Sequence, residues 1–141
     1  MNIMEVKFSA KSENESLARV IVASFAAKLD PTIDEFSDIK TAVSEAVTNA
    51  IIHGLDEDEK KFVHMRCELI ENTIKVVVED YGKGIEDIEE AKQPMFTSKP
   101  ELERSGMGFS FMESFMDDMQ VASIVGEGTK VIMTKTIEVP K

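Results

Sequence analysis

From residue 63 to residue 78, apolar side chains recur at every second position: Val63, Met65, Cys67 and Leu69, then Ile74, Val76 and Val78. His64, Arg66 and Glu68 stand between the first four, and Glu71 and Asn72 interrupt the run at its middle. A period of two is that of a strand buried on one face only, and the interruption makes the pair a hairpin. A one-faced sheet cannot stand alone, so the rest of the chain must supply a layer to cover it.

The covering layer is legible on either side of the hairpin. Residues 3–8 alternate Met4, Val6 and Phe8 with Glu5 and Lys7, which predicts a further strand. Ser12 and Glu15 have the spacing of a capping box ahead of Leu17, Val20, Ile21, Phe25 and Leu29, which recur at helical spacing. Thr32 and Glu35 repeat the signature ahead of Phe36, Ile39, Val43, Val47, Ala50 and Ile51, predicting a long second helix that ends at Gly54 as a left-handed cap. A charged loop, residues 55–61, leads into the hairpin.

Beyond the hairpin, residues 86–92 predict a short acidic helix stopped by Pro94, and residues 93–107 hold no period. A loop of that length inside a compact domain points to a lid or binding segment. Phe109, Met112, Phe115, Met116 and Met119 predict one more helix, and residues 120–126 and 129–138 two last strands. The fold class expected is α/β (α+β): a two-layer sandwich whose mixed, mostly antiparallel sheet is covered on one face by helices. Residues 1–141 are expected to form one domain, with a lid at about 93–108.

Charge narrows the function. With 27 acidic and 16 basic side chains the net charge is -11, which repels nucleic acid and argues against direct DNA binding. The single Cys67 forms no internal disulfide and belongs to no CxxC pair, so a reducing cytoplasm is the expected compartment. The longest apolar stretch, residues 20–27, is far short of the ~20 residues that cross a bilayer, and no export pattern opens the chain; no membrane association is expected.

Four segments carry chemistry. On the second helix Glu45 and Asn49 lie four residues apart, an advance of about 400° that puts both on one face, with His53 continuing the row. A carboxylate can take a proton from a hydroxyl, and an amide oxygen is a hard ligand suited to Mg²⁺. An isolated pair of this kind is more often a solvated helix face. At the end of the hairpin Asp80-Tyr81-Gly82-Lys83-Gly84 offers a carboxylate able to accept from an adenine amino group, with glycines that let the backbone approach a flat base. The loop Thr97, Ser98, Lys99 and Arg104 supplies hydroxyls and cations, and Ser105-Gly106-Met107-Gly108 opens a helix whose N–H groups favour phosphate oxygens. Each motif has a plain structural reading when taken alone; it is their order and joint occurrence that point to a nucleoside triphosphate.

That order resembles the N box and the two glycine boxes of the GHKL (Bergerat-fold) family of ATP-binding domains. Residues 44–54 and 93–109 resemble more narrowly the anti-sigma-F serine kinases of endospore-forming bacteria. The resemblance covers essentially the whole chain, with no departure in a glycine box. It implies ATP/ADP and Mg²⁺ as cofactors, Glu45 as general base toward a substrate serine, and Asn49 as metal ligand. It further implies Asp80 on the adenine amino group, Gly82 and Gly84 shaping the base pocket, and Gly106, Met107 and Gly108 facing phosphate. Thr129 is placed near the adenine, and Ser98, Lys99 and Arg104 around the phosphates.

The partners implied are a sigma factor of the sigma-F kind, a small anti-anti-sigma protein phosphorylated on serine, and a second copy in a homodimer. Arg19, with Glu15 one turn before it, is a candidate partner contact as well as a plain intrahelical pair. Three alternatives stay open. The chain could be a nucleotide-responsive sigma-binding module without catalysis, or a kinase and anti-sigma factor for a stress sigma factor. The third, the catalytic fragment of a histidine kinase, is disfavoured because no helical segment carrying a phosphorylated histidine is evident.

Overall fold

A computed structural model describes residues 1–93 and 108–138. In chain order it contains β1 (Asn2–Ser9), α1 (Asn14–Ala26) with a 3₁₀ turn at Ala27–Leu29, α2 (Ile33–Thr48) running on as a π-helical segment at Asn49–Gly54, β2 (Phe62–Ile70), β3 (Thr73–Asp80), α3 (Ile88–Ala91), α4 (Gly108–Phe115), β4 (Asp118–Ile124) and β5 (Gly128–Thr136). Among these described helices, none is long and apolar enough to cross a membrane.

The hairpin forms in the register its alternation requires, with Met65 opposite Val78, Cys67 opposite Val76 and Leu69 opposite Ile74. Those side chains are buried. They share one core with Ile39, Val43 and Val47 of α2 and Ile51 of the π-helical segment, all fully buried. The intervening strand residues stay more open, and Arg66 there bonds to Glu5 and Glu68. α2 packs against both α1 and α4 and so forms the centre of the helical layer.

The strands lie in the order β1-β2-β3-β5-β4. The sheet, expected to be mixed and mostly antiparallel, is antiparallel at each of these pairings. Two helices between β1 and β2 bring the chain back reversed. β4 does run parallel to β3, but β5 lies between them, so the two never become neighbours.

The capping box at Thr32 forms as expected: the Glu35 N–H donates to Thr32 Oγ1 at 3.1 Å, and the Thr32 N–H donates to Glu35 Oε1 at 2.8 Å. This holds the Glu35 carboxyl below its usual range. The box expected at Ser12 and Glu15 does not form. α1 starts at Asn14, Ser12 Oγ donates instead to Glu57 Oε2 at 2.9 Å, and the Glu15 carboxylate accepts from Ser44 Oγ on α2. The buried stripe of α1 is also rotated from the expected one. Ala18, Val22, Phe25 and Ala26 are buried, while Leu17 and Val20 are 48% and 64% exposed. Small alanines let α1 lie close against α2, and a count of bulky apolar residues passes over them. The last helix is shorter than expected: Met119 sits in β4 opposite Met133.

Candidate functional site

Asp80 closes β3 and is 4% exposed, the one buried charged residue among those described. A buried carboxylate needs donors. Here the Gly82 N–H donates to Oδ1 at 3.0 Å, and the backbone N–H of Thr129, opposite Asp80 in the β3–β5 register, donates as well. Burial nevertheless dominates and raises the carboxyl to about 6; the two N–H groups pull it down and Glu79 pushes it up.

Close backbone packing around Asp80 explains its glycines. A Cβ at Gly54 would lie 2.7 Å from the Asp80 carboxylate, and one at Gly82 would lie 1.9 Å from the Gly54 carbonyl oxygen. Gly54 was expected as a left-handed cap, and it is not one. The left-handed residues after α2 are Asp56 and Glu57, at φ 53° and 56°, and the helix closes through Leu55 N–H to Ala50 O at 2.9 Å. The need at Gly54 is space for a carboxylate. Gly128, at φ 130°, completes the enclosure: an added Cβ there would lie 2.1 Å from the Asp80 carbonyl oxygen.

Beside Asp80 opens a cleft of about 450 Å³, within the ~300–1,000 Å³ usual for small-molecule sites. The π-helical segment after α2 contributes Asn49 and His53, β3 contributes Val78 and Asp80, and β5 contributes Thr129 and Val131. Gly84 and Gly108 also reach it. Ala46, Ala50, Val78, Ile85 and Val131 give the cleft an apolar wall suited to a flat heterocycle, while Lys83, Glu86, Asp87 and Glu90 add charged groups to its lining. Asn49 Nδ2 is buried with no hydrogen-bond partner among the described residues, so this amide has unused capacity at the cleft wall.

The structure thus brings together Asn49, Asp80, Gly84, Gly108 and Thr129, which lie far apart in sequence. Gly82 holds Asp80 from behind. Glu45 is half-buried one turn before Asn49 and does not line the cleft in this conformation. Thr97, Ser98, Lys99, Arg104, Ser105, Gly106 and Met107 lie outside the described residues. Arg19 is on α1, its Nε 3.9 Å from Glu15 Oε1, and borders a shallow depression with Lys40, Thr41 and Ser44 of α2. A helical i,i+4 pair of this kind is worth only ~0.3–0.5 kcal/mol.

The chain matches the model of the histidine kinase-like ATPase domain over residues 8–135. It is 60% identical over 134 residues to an anti-sigma F factor of Clostridium perfringens, covering 95% of this chain and 96% of that one. It is 57% identical to the anti-sigma F factor of Anoxybacillus flavithermus, covering 95% and 92%. Its fold superposes with TM-score 0.72 on the RsbU and RsbW domains of Rv1364c from Mycobacterium tuberculosis, at 18% identity over 99% of this chain and 34% of that one. It also superposes with TM-score 0.57 on the catalytic domain of histidine kinase ThkA, at 18% identity over 97% of each chain. A nucleotide-binding ATPase fold and near full-length identity to these relatives agree, and the chain belongs to the histidine kinase-like ATPase domain family and, within it, to the anti-sigma F factors.

Proposed function

We propose that the chain is an ATP-dependent serine-protein kinase and anti-sigma factor. It binds Mg-ATP in the cleft, holds a sigma factor of the sigma-F kind, and phosphorylates a serine of an anti-anti-sigma protein. It acts as a homodimer in the cytoplasm, with residues 1–141 as one domain and about 93–108 as its lid. The observation that carries the nucleotide reading is Asp80, a carboxylate buried at the edge of an apolar cleft and packed round by glycines. Two N–H groups offset part of the cost of burying it, and its two oxygens keep acceptor capacity that a ligand donor can use.

Asp80 accepts from the exocyclic amino group of the base, and Val78 and Val131 give the ring an apolar wall. Asn49 suits magnesium through its side-chain oxygen: the residue lines the cleft, and one neutral oxygen is a fitting protein share for a metal that arrives with phosphates and water. Bound there, the metal would offset phosphate charge. Gly106, Met107 and Gly108 give backbone N–H groups to the phosphates, and Ser98, Lys99 and Arg104 supply hydroxyl and cationic groups to them. Glu45 takes the proton of the substrate serine as its oxygen attacks the terminal phosphorus and ADP leaves. Arg19 and Glu15 contact the protein partners.

The place of Glu45 outside the cleft wall favours a second reading, in which the chain senses nucleotide and sequesters sigma without catalysis. Incubating the protein with γ-labelled ATP, the sigma factor and the antagonist separates the two. Label on an antagonist serine supports the kinase; sigma binding without any labelled partner supports the second reading.

The raised Asp80 carboxyl gives a pH test. Only its charged form is a full acceptor, and with a folded value of about 6 it protonates as pH falls through that range. ATP affinity is therefore expected to drop roughly tenfold between about pH 7.5 and about pH 5. Without nucleotide the sign for stability is opposite. The unfolded group ionises near 3.8 and the folded one near 6, so the stability this group contributes falls as pH rises across that window and is level above it. Calorimetric titrations across the range check the first expectation, and thermal unfolding of the free protein checks the second.

A further inference from the structure

Ser123 is half-buried on β4, directly opposite Thr129 of β5. Nothing in its sequence context marks it. Its hydroxyl nevertheless meets three groups: the Ile85 N–H donates to Oγ at 2.8 Å, Thr129 Oγ1 lies at 2.8 Å, and the Gly128 carbonyl oxygen at 3.1 Å. All three belong to segments that border the cleft, the loop after Asp80 and the start of β5, and Ile85 and Thr129 line it.

A serine hydroxyl has one proton and two lone pairs. The Ile85 N–H occupies one lone pair. The proton goes to the Gly128 carbonyl, so the Thr129 hydroxyl donates to the remaining Ser123 lone pair and shows its own lone pairs to the cleft. Ser123 thus fixes where the Thr129 oxygen sits and sets it as an acceptor, which suits an amino group on the base and not a carbonyl oxygen. The same hydroxyl secures the loop: Gly84, at φ 78°, is pressed so close to the Ile124 carbonyl that an added Cβ would lie 2.4 Å from it, and Lys83 O accepts from Gly126 N–H at 2.8 Å. Ser123 is the side chain that joins this stitched loop to Thr129.

We infer that Ser123 is a positioning residue for base recognition, holding the Thr129 hydroxyl and the Gly84–Ile85 backbone against the polar edge of an adenine. The inference rests on the nucleotide reading above. Its test is calorimetric titration of the full chain with Mg-ATP and with Mg-ITP, which differ only on that edge of the base. The unsubstituted protein is expected to prefer ATP. Ser123→Ala is expected to weaken ATP about fivefold, a typical worth for one hydrogen bond, and ITP much less, so that the preference narrows. Ser123→Thr, which keeps the hydroxyl, is expected to restore it.

An unchanged ATP-to-ITP ratio in the alanine variant overturns the inference, as does equal weakening of both nucleotides or failure of the threonine variant to recover. Thermal unfolding of both variants shows whether the fold is kept; if alanine unfolds the chain, the threonine variant alone decides, by matching or missing the unsubstituted ratio. Failure of the nucleotide reading itself looks different, because the unsubstituted protein then binds neither nucleotide.

Discussion

Glu45→Gln is expected to leave Mg-ATP affinity within about twofold of the unsubstituted value while lowering phosphate transfer to the antagonist by at least about a hundredfold, the usual worth of a positioned base. The separation follows from position. Glu45 stands on α2 one turn before Asn49 and outside the cleft wall, so its carboxylate is not part of the surface that receives the nucleotide. Gln keeps the size and polarity of the side chain and removes only its capacity to take a proton. Quenched-flow transfer assays beside equilibrium titrations measure both quantities on one preparation. Transfer at the unsubstituted rate would remove Glu45 from the mechanism, and loss of ATP binding in step with transfer would make it structural.

Gly82→Ala is expected to have the largest effect on binding. Its Cβ would lie 1.9 Å from the Gly54 carbonyl oxygen and 2.9 Å from Asp80 Oδ1. The first neighbour is backbone at the end of the π-helical segment, so no side chain can turn aside. Either the loop after β3 or the end of α2 must move, and the N–H that Gly82 gives to Asp80 moves with it. Overpacking of this kind costs ~1–3 kcal/mol of stability. A fall of at least about a hundredfold in ATP affinity is expected in addition, since a displaced Asp80 loses both its donor and its aim. Chemical denaturation and calorimetry give the two numbers; a variant that binds ATP normally would show that the glycine contacts do not shape the site.

The two kinds of glycine show how far the chain can be read without coordinates. Gly82 and Gly84 were legible as site residues because they follow a strand and an acid within one short motif. Gly54 was assigned to the right place for the wrong reason: a glycine after a helix commonly caps it, and only the fold reveals that Asp80 arrives beside it from 26 positions later in the chain. Gly128 and Ser123 acquire their roles only once β4 and β5 are paired and laid against β3, information that resides in topology rather than in any local pattern.

Local signals behaved in proportion to how much of their cause is local. The capping box at Thr32 needs only four consecutive residues, and it forms. Ser12 has the same spacing but a better partner in Glu57, and Glu15 one in Ser44, both distant in sequence, so that box is lost. The hairpin register follows from alternation that nothing contradicts. On α1 the alternation of bulk misled, because the face that meets α2 is chosen by close approach of Ala18 and Ala26 as much as by Val22 and Phe25. Met119 continued a helical spacing past the end of α4 because methionine suits either element, and its pairing with Met133 settled it as strand.

The most direct test is calorimetric titration of Mg-ATP into the unsubstituted protein and into Asp80→Asn at about pH 7.5. One saturable site per chain is predicted for the first, with affinity at least about tenfold weaker for the second while its circular dichroism is unchanged, since an acceptor turned partly donor faces the amino group of the base. Absence of heat from the unsubstituted protein, or equal affinity in the two, would contradict the placement of adenine on Asp80 and with it the function drawn from that cleft.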